Sequence, residues 1–316
     1  MEAKRIRCAV IGVGHLGKFH AEKYAQLPEA QLVAVVDQDL ERAEQLAEKY
    51  NCQALTDYTQ LIGLVDAVSI VTPTQTHFDV AKFFLARGVH CLIEKPITTT
   101  VAEANDLINI AVENNCLIQV GHLERFNSAI IALHTILKTP RFIESHRIAP
   151  FTPRGADVNV VLDLMIHDID LIRFLVDSPV RSIAANGAPV LTNEIDIANA
   201  RIEFENGCVA NVTASRAGMK QERTMRIFQS DAYISVDLQQ KTCSIYRKGQ
   251  GEMFPGIPEI NKETSTFPQS DAILAEITAF IHAIQSNSSS PVSGEAGKEA
   301  LEIAARITEI VKGNIL

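Results

Sequence analysis

The stretch that decides the fold is Ile6-Arg7-Cys8-Ala9-Val10-Ile11-Gly12-Val13-Gly14-His15-Leu16-Gly17. A short, apolar, β-rich run enters a G-x-G-x-x-G turn at Gly12, Gly14 and Gly17, and helix-compatible residues from Phe19 to Leu27 follow. Glycine-rich turns are common, so the hexapeptide alone says little. Set between a strand and a helix it has a mechanism: glycines allow a tight turn and let the backbone approach a pyrophosphate, which then rests on the partly positive helix N-terminus. His15 and Leu16 lie in the same turn and belong to the expected cofactor surface. The next apolar run, Leu32 to Val36, ends at Asp37, twenty residues beyond Gly17. An acid at that distance accepts hydrogen bonds from the adenosine ribose hydroxyls and repels a 2′-phosphate, so the turn reads as a site for NAD in preference to NADP.

Outward from this unit, apolar runs recur at Ala67 to Val71, Cys91 to Ile93 and Leu117 to Val120, separated by helix-like Leu40 to Tyr50, His77 to Arg87 and Val101 to Asn114. Continuous apolar strands alternating with helices predict an α/β fold, a parallel sheet covered on both faces. The texture changes after Gly121. A helix over Glu124 to Leu137, a strand over Phe142 to Ile148, a loop at Pro150 and Pro153 and an apolar helix over Val160 to Val176 come first. Strand and turn signals then dominate from Arg181 to about Phe267, including Ala200 to Phe204, an Asn206-Gly207 turn, Val209 to Ala214 and Ala232 to Val236. Two helices, Ala272 to Ile284 and Gly294 to Val311, close the chain around the Ser/Asn-rich Ser286 to Ser290. These signals predict an NAD-binding Rossmann domain over 1–122 and a substrate-binding α+β domain over 123–316 with a mostly antiparallel sheet.

A length of 316 residues suits two such domains. The net charge of −9 removes the general attraction to phosphate backbones and anionic lipid surfaces, so neither nucleic acid nor membrane is an expected partner. No apolar run approaches the roughly 18 residues of a membrane span. The six cysteines are scattered and form no C-x-x-C, which predicts free thiols in a cytoplasmic protein.

Three further groups carry chemistry. Thr72-Pro73-Thr74-Gln75-Thr76-His77 follows a strand and so falls at the carboxyl edge of the sheet, where Thr72, Pro73 and His77 face the cofactor and Thr74 or Thr76 caps the next helix. Cys91-Leu92-Ile93-Glu94-Lys95-Pro96 runs from a buried strand to the same edge. The proline restricts Lys95 to extended geometry, and a partly desolvated ammonium there is a strong donor to a carbinol oxygen. In Asp163-Leu-Met-Ile-His167-Asp168-Ile-Asp170, positions 163, 167 and 170 share one face of an otherwise apolar helix. Such a stripe is either a core-polar or capping arrangement, or an imidazole oriented by a carboxylate and serving as proton carrier. With no third His or Cys nearby in sequence it is a poor metal signal, and no metal is expected.

In this order and approximate spacing, Gly12 to Gly17, Thr72-Pro73 with His77, Glu94-Lys95-Pro96 and Asp163-x-x-x-His167-x-x-Asp170 resemble the glucose-fructose oxidoreductase, inositol dehydrogenase and MocA family over nearly the whole chain. The resemblance implies a Rossmann domain followed by an open-faced sheet domain that forms homodimers or homotetramers. It also implies Glu94 and Lys95 beside the cofactor, Lys95 at the reacting hydroxyl, His167 as acid/base, and Asp163 positioning substrate or His167. A finer likeness, through Gly121-His122-Leu123-Glu124-Arg125-Phe126-Asn127, Ala149 to Gly155 and Asp157 to His167, is to the branch that oxidises UDP-N-acetylglucosamine at C3 ahead of an aminotransferase in lipid A assembly; Ser128 stands where that branch has proline.

The expected reaction is oxidation of a sugar carbinol to a ketone with NAD. For a nucleotide sugar, Arg125, His146, Arg147 and Arg154 are candidates to meet the diphosphate and Asn127 an added substrate contact, although loop arginines are equally often solvated charges. The alternatives are a dehydrogenase of a free sugar or inositol, and a dinucleotide-sensing protein or NAD-dependent glycosidase on the same fold.

Overall fold

A computed structural model describes residues 5–153, 158–268 and 270–314. The chain divides into two compact units, Met1–Leu123 with Asp271–Leu301, and Glu124–Ser270 with Glu302–Leu316.

In the first unit β1 (Ile6–Ile11), α1 (Gly17–Gln26), β2 (Ala30–Val36), α2 (Leu40–Tyr50), β3 (Gln53–Leu55), β4 (Ala67–Ile70), α3 (His77–Leu85), β5 (His90–Glu94), α4 (Val101–Glu113) and β6 (Ile118–Gly121) follow one another. The strands form one parallel sheet in the order β3-β2-β1-β4-β5-β6. The chain winds outward through β2 and β3, then returns to the other side of β1, so the strand order reverses between β1 and β4. The crevice at the carboxyl ends of that pair is where doubly wound sheets take their ligands. β4 is buried along its whole length, which is why such strands read as unbroken apolar runs. β3, a three-residue edge strand beginning at exposed Gln53, carries no such run and is invisible to that pattern. Helix starts follow local chemistry: Asp39 accepts from the Arg42 N–H to cap α2, and Thr100 and Glu103 cap α4 reciprocally.

The second unit carries α5 (Ser128–Ile136), β7 (Pro140–Ile148), α6 (Ile166–Val176), β8 (Val180–Ala188), β9 (Ile197–Phe204), β10 (Val209–Ser215), β11 (Glu222–Gln229), β12 (Ala232–Asp237), β13 (Thr242–Phe254) and β14 (Ile257–Thr266). Its sheet has the order β14-β13-β12-β11-β7-β10-β9-β8, and among these pairings only β7 with β10 is parallel. Burial alternates along the strands: Ile143, Ser145, Ala200, Ile202, Val212, Ile227, Ile234 and Val236 lie inward, with α6 against this face through Asp168. On the opposite face Phe142, Phe228, Tyr233 and Tyr246 sit in cross-strand register and form a row with ring centroids 5.7, 4.9 and 5.2 Å apart.

Two expected helices are interrupted. Val160 to Val176 begins with a π-helical turn, Val161–Met165, before α6, and the Asn159 side chain caps it by accepting from the Val161 and Leu162 N–H groups. Glu124 to Leu137 splits into a 3-10 turn, Leu123–Phe126, and α5, because the Asn127 side chain accepts the Ala129 N–H and starts a new helix. The closing helices are α7 (Ala272–Ser286) and α8 (Gly294–Asn314). The expected second domain takes in everything after residue 122, yet α7 belongs to the first unit, where Ile277, Phe280 and Ile281 join the core of Cys8, Val10 and Tyr24; α8 belongs to the first unit as far as Leu301. An apolar helix face reports that something is buried, not which sheet buries it.

The start of α1 depends on one close approach. A β-carbon on Gly17 would lie 1.9 Å from the Gly12 carbonyl oxygen, a backbone atom that no rotamer change can move aside. At Gly14 a β-carbon would meet nothing within 4 Å. In urea unfolding, Gly17→Ala is therefore expected to lose on the order of 3 kcal/mol, while Gly14→Ala keeps the wild-type midpoint; equal stabilities of the two variants would contradict this packing.

Candidate active site

The glycine turn sits at the carboxyl end of β1. Gly12 adopts a φ of 83°, the left-handed region, and its missing side chain leaves the Val71 carbonyl oxygen only 2.6 Å from where a β-carbon would stand. Gly14 faces open space, and no side chain caps α1, whose N-cap position is Leu16. The exposed backbone and uncapped helix N-terminus are what a pyrophosphate requires. Asp37 reaches the same place: one carboxylate oxygen accepts from the Val13 N–H at 2.9 Å, and the other from the Asp39 N–H at 3.0 Å and Arg42 Nη1 at 3.2 Å. A cleft of about 580 Å³ beside it is lined by Val13, Gly14, His15, Lys18, Arg42 and Lys49, among others. An open backbone, a pinned acid and a basic rim have the chemistry that a dinucleotide requires.

Two loops follow at the same sheet edge. Thr76 Oγ1 lies 2.7 Å from Thr72 Oγ1 and 2.8 Å from the Pro73 carbonyl oxygen, and its hydrogen bonding closes the Thr72-Pro73 turn. His77 is buried, and its Nδ1 and Nε2 lie 2.9 Å from the carbonyl oxygens of Pro96 and Thr72. Burial lowers the His77 pKa, with the carbonyls pulling less strongly the other way. This residue, expected at the cofactor, sits between the Thr72 turn and the segment carrying Lys95, and in its neutral form donates to one of the two carbonyls. Lys95 is half-buried and joined to Pro96 by a cis peptide bond. Glu94 turns inward: it is 6% exposed, and its carboxylate accepts from the Lys95 N–H at 3.2 Å.

The second unit holds Asp163 and His167, both half-buried, in the π turn and the first turn of α6. Around them the structure pairs charges. Arg125 grips Asp170 through Nε at 2.8 Å and Nη2 at 2.6 Å, and its guanidinium stacks 4.7 Å from the Phe174 ring centre. Arg147, 3% exposed, binds Asp168 through Nε at 2.6 Å and Glu124 through Nη1 at 3.1 Å, and Ser145 donates to Asp168 at 2.8 Å. Burial alone would lower the Arg147 pKa, but Asp168 and Glu124 raise it above the ordinary value. Breaking a buried pair costs about 3–5 kcal/mol, so Arg125 and Arg147 act first on the fold. Asn127 has a different task from the one expected at substrate: its Oδ1 caps α5 and its Nδ2 donates to the Leu238 carbonyl at 3.0 Å and to Glu124 at 3.2 Å. His146 alternates to the opposite face of β7 from Arg147. Arg154 lies outside the described residues.

Sequence reasoning passed over Arg223 on β11. It is directly cross-strand from Arg147, its side chain is 41% exposed, and its nearest acid is Glu124 at 3.7 Å, already shared with Arg147. Burial and then the neighbouring Arg147 charge lower its pKa, with Glu124 and Asp168 pulling less strongly the other way. Its signal lies in strand register alone, which no local motif carries.

Residues 6–122 match the model of an oxidoreductase family with an NAD-binding Rossmann fold, and residues 136–235 that of the GFO/IDH/MocA C-terminal domain. The chain is 42% identical over 308 residues, 97% of each chain, to UDP-N-acetylglucosamine 3-dehydrogenase of Acidithiobacillus ferrooxidans. A solved structure of that enzyme aligns with a TM-score of 0.93 over 98% of each chain. It is also 26% identical to inositol 2-dehydrogenase of Rhizobium meliloti, over 95% of this chain and 94% of the relative. The protein belongs to the GFO/IDH/MocA oxidoreductase family, with an NAD-binding Rossmann domain in its first unit.

Proposed function

We propose that the chain is an NAD-dependent dehydrogenase that oxidises UDP-N-acetylglucosamine at C3 to the 3-keto sugar nucleotide. The observation that carries the choice of sugar is the 42% identity to an enzyme of that name over 97% of both chains. In the molecule, the half-exposed Arg223 beside the paired Arg147 supplies a cation for a diphosphate. Arg125 and Arg147 enter with their charge already matched, which favours them as supports of α6 and of the turn before α5.

NAD, when bound, supplies the hydride acceptor. The residues of the chain handle the oxygen and its proton. The Lys95 ammonium donates to the carbinol oxygen and stabilises negative charge as it develops there. His167 takes the hydroxyl proton, and Asp163 on the adjoining turn orients His167 or the sugar. The product ketone is a substrate for amination, which places an aminotransferase downstream, as in lipid A assembly. The six cysteines are free thiols, and among the described residues no helix is long and apolar enough to cross a membrane, both in keeping with a cytoplasmic enzyme. The row Phe142, Phe228, Tyr233 and Tyr246 gives the outward sheet face an aromatic stripe suited to pairing with a second copy.

The pairing of Arg125 and Arg147 with carboxylates also favours a second reading, a dehydrogenase of a neutral polyol. Purified protein with NAD and a carbonyl trap, offered UDP-sugars, free sugars and inositols, separates the two. NADH formed with UDP-N-acetylglucosamine is the expected result, and turnover confined to inositols would replace it. On the active sugar, Lys95→Ala and His167→Ala are expected to cut kcat on the order of a thousandfold while still enhancing NADH fluorescence. Arg223→Gln is expected to raise KM for the UDP-sugar about tenfold with little change in kcat; an unchanged KM removes Arg223 from the diphosphate site. Phe228→Asp is expected to halve the molar mass seen by light scattering, and an unchanged mass would place the subunit contact elsewhere.

A further inference from the structure

Behind Glu94-Lys95-Pro96, three ionisable side chains from distant stretches of sequence meet inside the first unit: His20 of α1, Glu94 at the end of β5 and Glu276 of α7. They are 0%, 6% and 0% exposed, and one nitrogen or oxygen of each lies within 4.8 Å of the others. Two carboxyl groups this deep and this close do not both ionise.

The polar contacts around them distinguish the two. Tyr24 Oη lies 2.8 Å from Ser69 Oγ, Ser69 Oγ lies 3.2 Å from His20 Nδ1, and His20 Nε2 lies 3.3 Å from Glu94 Oε1. With Tyr24 donating to Ser69 and Ser69 to His20 Nδ1, a neutral His20 carries its proton on Nε2, which faces Glu94 Oε1 as a close polar contact without hydrogen-bond geometry. Glu94 accepts the Lys95 N–H through Oε2, while its Oε1, facing His20, has no hydrogen-bond partner among the described residues. Among the described residues, neither carboxyl oxygen of Glu276 has a hydrogen-bond partner. Burial would raise the Glu94 pKa, but His20 and Lys95 bring it below the ordinary value; burial, and then the Glu94 charge, raise that of Glu276 far above it. These opposite directions favour Glu94 as the anion and Glu276 as the protonated acid. Gly121 confines the anion, since a β-carbon there would lie 2.9 Å from the Glu94 carboxyl, and Glu276 is fixed in turn by Gln119, which donates to its backbone carbonyl at 2.9 Å and is itself held by Ser290.

We propose that Glu94, held by His20 and Glu276, is a positioning residue that anchors the Lys95 backbone and keeps the Lys95 ammonium charged, so that Lys95 serves as donor to the reacting oxygen and leaves the proton to His167. This rests on the role given to Lys95 in the proposed function. The Coulomb attraction by which Lys95 helps to keep Glu94 ionised acts equally on Lys95. The ionisable groups facing Glu94 are His20 from α1, His77 from α3, Glu276 from α7 and Lys95 itself. Glu276 supplies no second negative charge because it keeps its proton, and His77 is biased toward its neutral form by burial.

The test follows Lys95 directly, without any sugar. The full-length protein is trace-labelled with acetic anhydride across a pH series, and Lys95 acetylation is read by mass spectrometry, with NADH fluorescence confirming a folded cofactor site. Glu94→Gln is expected to move the Lys95 labelling midpoint down by about one pH unit, about a tenfold rise in reactivity at neutral pH. Glu276→Gln, which replaces a neutral acid with a neutral amide, is expected to keep the wild-type midpoint. An unmoved midpoint in Glu94→Gln overturns the proposal, as does a Glu276→Gln midpoint displaced as far as that of Glu94→Gln. If Glu94→Gln does not fold, Glu94→Asp, which retains the charge, must keep the wild-type midpoint, and a fall overturns the proposal. A sugar panel that stays silent while the labelling behaves as expected would instead count against the proposed substrate.

Discussion

The Gly12 carbonyl oxygen occupies the space that a β-carbon on Gly17 would need, and much of the first unit is arranged by that contact. It lets α1 begin directly above the end of β1, with its first turn uncapped and its backbone bare at Gly14. Once α1 is set there, the Val13 N–H reaches Asp37 from the next strand. His20 and Tyr24, on the inner side of the same helix, reach Ser69 on β4. One steric constraint therefore places the phosphate cradle on the outer side of the turn and a buried polar line on the inner side. That line ends at Glu94, the residue before Lys95.

Charge is handled locally throughout. A chain of net charge −9 offers an anionic cofactor no general attraction, so it must be met by particular groups. The first unit presents an uncapped helix N-terminus with Lys18, Arg42 and Lys49 at the rim of the cleft. The second sets Arg125, Arg147 and Arg223 against Asp168, Asp170 and Glu124. Two of these arginines are satisfied bidentately or doubly and hold α6 and the turn before α5 in place. Arg223 shares one distant carboxylate, which leaves it the most available cation of the group.

Legibility in the sequence followed the range of the interaction. The glycine turn, Asp37 and the buried strands β1, β2, β4, β5 and β6 were readable because each depends on neighbours a few residues away or on a fixed spacing. The π turn at Val161–Met165 was not readable, since a run as apolar as Val160 to Val176 fits a regular helix equally well and the Asn159 cap lies just before it. Arg125, Arg147 and Asn127 were readable as polar groups near a site. Whether they were available to a ligand depended on Asp170, Asp168 and Leu238, which lie 45, 21 and 111 residues away along the chain. His77 read as a group facing the cofactor, but the Pro96 carbonyl nineteen residues later claims one of its ring nitrogens.

By itself the sequence determined a doubly wound NAD-binding unit, an antiparallel sheet unit after it, and the short motifs that bring Lys95 and His167 into consideration. These are properties of period, turn chemistry and spacing, and they act within one or two elements. Only the tertiary structure decided that α7 returns to the first unit, that Glu94 turns inward to His20 and Glu276, and that Arg223 stands beside Arg147. Each of those depends on which surfaces bury one another, and a buried charge is defined by its partners, which folding alone brings within reach.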